Sequence, residues 1–156
     1  MDVNLKINTK DALSALQRLE EDIDKAIFEN FAYEGEKLVA LTRDRSAEDS
    51  WKDQTGNLRS SIGYVVGKDK EDKLLSTYKT VKSGTEGSQK GKEYAKELAS
   101  KQDGWSLHIV AGMEYAEVLE KVRGRNVLAS ARAKLAEDIP TLAKRIKDRV
   151  EKGKTQ

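Results

Sequence analysis

The sequence predicts an α+β domain, a small antiparallel sheet packed by a long N-terminal helix and a kinked C-terminal helix. Three observations predict it: apolar residues recur every three or four positions over some 35 residues near the N-terminus; two separated segments alternate with period two; and a second helical period runs through the C-terminal quarter. The chain has 156 residues, which suits a single domain spanning 1–156, and 36% of them are charged against the usual ~25%, at a net charge of +2. The apolar core is therefore thin, and much helix surface must stay wet or meet a partner.

Val3, Leu5 and Ile7 alternate with Asp2, Asn4, Lys6 and Asn8, the pattern of a short strand with one buried face and the natural third member of the sheet. Thr9 then offers an N-cap and Asp11 suits the first turn. Leu13, Leu16, Leu19, Ile23, Ile27, Phe31, Leu38 and Leu41 follow at helical steps, predicting an amphipathic helix from about 10 to 44. At 1.5 Å per residue it is on the order of 50 Å long, so either Gly35 interrupts it or one end projects beyond the domain.

Thr55 can cap a single turn with Leu58 pointing inward, after which Ile62, Tyr64 and Val66 alternate with Gly63, Val65 and Gly67 as a strand. Trp105, Leu107, Ile109, Ala111 and Met113 form one face of a matching strand, and antiparallel pairing of the two is expected because neither can leave its backbone unpaired. Residues 68–104 between them read as a flexible insertion. Residues 68–92 hold seven Lys against four acidic groups, with Gly84, Gly87 and Gly91; Leu74, Leu75, Tyr78 and Val81 could add a strand, and Glu93 to Lys101 has the spacing of a short helix. After a helical segment from Glu114 to Val122, the last helix carries Leu128, Ala131, Leu135, Ile139, Leu142, Ile146 and Val150 in phase across Pro140, where a kink is expected.

With no cysteine, disulfides and thiol chemistry are excluded. No apolar run reaches the ~20 residues of a membrane helix, and the start lacks the pattern of a signal peptide, so the expectation is a soluble intracellular product without membrane contact. His108 is the sole imidazole, and its strand phase makes it an ordinary, partly exposed residue. No spacing forces carboxylates onto it, and the glycines of 84–91 make no phosphate cradle, so no catalytic, metal or cofactor site is expected. Trp51, a large aromatic in a polar stretch, is either a core cover or an interface anchor.

The run Thr55-Gly56-Asn57-Leu58-Arg59-Ser60-Ser61-Ile62, preceded by a long helix and followed by a strand ending in Gly112, then Tyr115-Ala116 and Glu120 and a C-terminal helix, resembles the HK97 gp10-like tail-component proteins of tailed bacteriophages. The resemblance covers most of the chain outside 68–104. It implies a structural virion protein in head–tail joining or tail completion. Its partners would be copies of itself in a ring and other neck or tail proteins, and it would be located in the virion and, during assembly, in the host cytoplasm. The motif residues Trp51, Thr55, Gly56, Asn57, Leu58, Arg59, Ser61, Tyr115, Ala116 and Glu120 then become candidate fold or interface positions. Tyr115 is expected to pack between strand and helix, and Glu120 to pair with Arg123 or with a partner's arginine. The alternative reading is a small nucleic-acid-binding module in which Lys144, Arg145, Lys147 and Arg149 on the last helix make non-specific phosphate contacts with DNA.

Overall fold

The computed structural model describes residues 1, 3, 6, 8–46 and 51–153. It is an α+β fold. Along the chain, helix α1 (Thr9–Arg43) and the single-turn helix α2 (Asn57–Ser60) lead into strands β1 (Ile62–Lys68) and β2 (Glu71–Leu75). Helix α3 (Thr85–Ala99), strand β3 (Trp105–Ala111) and helices α4 (Ala116–Lys121) and α5 (Ala129–Gly153) follow. The sheet is antiparallel in the order β2-β1-β3, with Ile62 opposite Ala111 and Tyr64 opposite Ile109.

The third strand is not the one the N-terminal alternation suggests. Leu5 and Ile7 lie outside the described residues, and Val3 is exposed and in no strand. The place next to β1 belongs to β2, from the segment read as an insertion. That segment is part of the fold. Asp69 and Lys70 both take positive φ, 52° and 70°, making the tight turn whose twist suits a two-residue hairpin, and α3 lies across the sheet. One face carries Ile62, Tyr64 and Val66, packed with Val39, Trp51, Leu58, Met113 and Val127 and with Phe28 and Phe31 of α1; the other carries Val65 and Val110 against Tyr78, Ala95 and Ala99. With both faces covered, β1 is buried almost throughout, while β3 at the edge is mostly half-buried.

Helix α1 runs through Gly35 without a break. Asn8, not Thr9, caps it, its side chain accepting from the Lys10 and Asp11 amides. Gly35 is small because Tyr64 lies on it: a Cβ there would stand 2.5 Å from the ring. The Tyr64 hydroxyl donates to Glu36 at 3.0 Å, and burial together with that carboxylate holds the phenol protonated far above its usual range.

Helix α5 lies antiparallel to α1. Lys37 pairs with Asp138, Arg145 with Glu34 and Arg149 with Glu29, and Gly153 sits beside Asp22. Of the apolar stripe expected from sequence, Ala131 and Leu142 are buried and Leu128, Leu135, Ile146 and Val150 half-buried, while Ile139 is exposed; the ion pairs of Asp138, Arg145 and Arg149 run beside it. Pro140 lies inside this helix. N-terminal to Asp22, α1 has no α5 beside it: residues 9–21 project by about 20 Å, with Leu13 and Leu16 each 62% exposed.

Candidate functional site

The Thr-Gly-Asn-Leu motif builds a turn that fastens three segments together. Asp53 accepts from the amides of Gly56, at 2.9 Å, and Arg59, at 3.2 Å, so it supplies most of the capping expected of Thr55, whose hydroxyl reaches only the Asn57 amide at 3.2 Å. Gly56 has φ +84°, and a Cβ on it would stand 2.0 Å from the Val81 carbonyl oxygen. The Asn57 carboxamide accepts from the Gly87 amide and donates to Glu86, tying the turn to the start of α3. Ser60 Oγ accepts from the Val81 amide at 2.8 Å, and Ser83 donates to the Thr55 carbonyl. Leu58 is fully buried, and Ser61 donates back to the Leu58 carbonyl.

Trp51 is 4% exposed and roofs this turn, with the Arg59 guanidinium 4.9 Å from its ring centre and donating to the Arg43 carbonyl. Of its two readings, core cover is the one the structure adopts. Beside it lies an open cleft of about 450 Å³ lined by Trp51, Lys52, Tyr115, Leu119, Arg123 and Arg125. Tyr115 stands at its rim, 41% exposed, rather than packed between strand and helix, while Ala116 behind it is buried. Glu120 pairs with neither Arg123 nor any other cation described. Its carboxylate accepts from the Leu128 amide, capping the approach to α5. The motif residues on 51–61 therefore form one hub. Tyr115 joins it at the cleft, and Glu120 works elsewhere.

Each of the four basic residues proposed for phosphate contact has an acidic neighbour, with Lys144 and Lys147 remaining largely exposed. Lys144 bridges to Asp148 at 3.6 Å and Lys147 to Glu151 at 3.9 Å along the helix, while Arg145 and Arg149 reach across to α1. Arg145 also lies over the Tyr33 ring at 5.0 Å. Sequence reasoning missed the two acids that organise these surfaces, Asp53 and Glu34. Asp53 had a signal, since an Asp three residues before a Gly-Asn pair is a capping position. Glu34 had none, standing at a gap in the apolar stripe where a charge reads as solvent-facing.

The cap can be weighed by mutation. Asp53→Ala leaves two amides of the turn without a partner and is expected to cost about 1–2 kcal/mol, read as a lower urea midpoint at unchanged m-value.

His108 on β3 has a buried Nε2 without a partner, and desolvation pushes its imidazole below the usual range. The unfolded chain then takes up a proton that the native state resists, so stability is full above the unfolded pKa of about 6.5 and falls as pH drops through it toward the lower folded value. His108→Gln is expected to flatten the pH dependence of the urea midpoint between pH 7 and pH 5. An unchanged slope would assign it to other groups.

Among the described residues no three His, Asp or Glu side chains gather as a metal site would require, and no helix is long and apolar enough to cross a membrane. Comparison with known proteins gives no match, whether to a family model, a curated sequence or a solved structure.

Proposed function

We propose that this protein is a structural component of a tailed-phage particle, acting in head–tail joining or tail completion through contacts with copies of itself and with neighbouring virion proteins. The observation that carries the reading is the free end of α1. A helix of about thirteen residues without tertiary support is marginal in water, because packing an apolar face supplies most helix stability in proteins. Residues 9–21 nonetheless extend past the body with Leu13 and Leu16 bare, an arrangement that becomes favourable when another subunit covers them. The order of the Thr55–Ile62 motif, Tyr115-Ala116 and Glu120, with its resemblance to tail-component proteins, supports the same role. The charge pairing of Arg145 and Arg149 to α1 favours assembly over the nucleic-acid reading, since contact with phosphate would first have to break those pairs.

The test is co-expression with the proteins encoded beside it, followed by light scattering and electron microscopy of the purified product. Multimeric species, or incorporation into tail or neck assemblies, are expected. A strict monomer that joins no such assembly at any concentration would overturn the proposal.

A further inference from the structure

The sheet has two edges, and they are treated differently. On the outer side of β2, Glu71, Asp72 and Lys73 are exposed and charged, a usual protection against added strands. β3 itself carries no Lys, Arg, Asp or Glu. Its neighbour across the gap is the beginning of α5, and between them runs a cleft lined by apolar side chains together with the charged Glu117, Glu120, Lys121 and Arg132. One part, of about 290 Å³, is lined by Leu98, Ile109, Ala111, Val127 and Leu128, and a second, of about 260 Å³, by Leu107, His108, Ala131 and Leu135. An open strand edge on one wall and apolar side chains on the other is what an extended segment with alternating side chains fits: its backbone continues the ladder, and every second side chain enters the cleft.

The chain contains one segment of that pattern with no place in the described sheet. Val3, Leu5 and Ile7 alternate with Asp2, Asn4 and Lys6, and they precede the projecting end of α1. That segment is too short to lie along β3 of its own chain. Asp24 accepts from Trp105 Nε1 at 2.8 Å, so the near end of β3 is level with residue 24 of α1, and the rest of β3 runs further away, its Ile109 paired with Tyr64 at Gly35. From Asn8 back to Asp24 is about 24 Å of helix. The five steps from Asn8 to Val3 span at most about 18 Å when fully extended, so at full stretch only Val3 could approach Trp105, and the residues after it fall short of the strand.

The geometry points to residues 3–7 of one copy adding as a fourth strand to the β3 edge of a neighbouring copy, with Val3, Leu5 and Ile7 filling the cleft against α5. This rests on the assembly reading above and names its contact. The interface is heterologous, each copy giving a strand at one end and receiving one at the other, and such contacts build rings when the rotation closes.

The absence of cysteine makes the test clean. Leu5→Cys and Leu107→Cys chains, each otherwise native, are mixed and oxidised. A disulfide joining the two variants is expected, and disulfides confined to Leu5→Cys pairs would overturn the inference in favour of a symmetric contact between N-termini. In parallel, a full chain lacking only residues 2–7 is expected to keep the thermal transition of the parent but to sediment as a monomer. A synthetic peptide of residues 1–8 added to it should slow amide deuterium exchange within 105–111. Oligomers that survive the deletion would sink the strand exchange while leaving assembly intact. A parent chain that stays monomeric even with its particle partners present would remove both.

Discussion

Gly56→Val should lower stability by about 3 kcal/mol or more, a fall of roughly 6–12 °C in melting temperature for a domain of this size. Two costs add. A β-branched residue held at φ +84° gives up on the order of 1–2 kcal/mol against its preferred backbone. Its Cβ would also stand 2.0 Å from the Val81 carbonyl oxygen, which is main chain and cannot rotate aside, so the 81–84 segment must move off the turn. That movement takes with it the Ser60–Val81 and Ser83–Thr55 bonds. Gly104→Ala is the internal comparison: φ is +69° there too, but no atom lies within 4 Å of the added methyl, so only the backbone cost applies. If thermal melts showed the two glycines equally sensitive, the close approach of Val81 would have no energetic weight.

The motif signals the turn without its cause. Thr55-Gly56-Asn57-Leu58 reads correctly as a turn that launches a strand, because local capping and period-two alternation are short-range properties. What cannot be read is that Gly56 is glycine on account of Val81, 25 positions later, or that Gly35 is glycine on account of the Tyr64 ring. The same limit governs the sheet. β1 and β3 are legible from Ile62, Tyr64 and Val66 and from Trp105, Leu107 and Ile109, since each alternates. β2 is half legible: Leu74 and Leu75 offer a strand, but its turn uses Asp69-Lys70, without the glycine that usually marks a two-residue hairpin, and its first three residues are charged because they guard an edge. The length of α1 was legible, and so was the choice between a break at Gly35 and a projecting end. Only Tyr64 across the sheet decides that choice in favour of projection.

Arg145→Met should destabilise the protein by roughly 2–4 kcal/mol, and the loss should be largely recovered in the double variant Glu34→Leu with Arg145→Met. Glu34 is completely buried on α1 and is held by two cations, Lys37 at 2.9 Å and Arg145 at 3.0 Å. Removing Arg145 leaves a carboxylate out of water with only Lys37 beside it, and Lys37 is also claimed by Asp138. The penalty for stranding a charge in this way is about 3–5 kcal/mol for a fully buried pair. It is discounted here because Arg145 is itself one-third exposed and Lys37 stays. Taking both members away exchanges desolvated charge for apolar contact between α1 and α5, a trade that is often neutral or favourable. The four-corner cycle, read from urea midpoints, should therefore give a coupling of about 1–3 kcal/mol between positions 34 and 145. Additive losses would instead mean that Arg145 holds α5 through its stacking on Tyr33, with Glu34 satisfied by Lys37 alone.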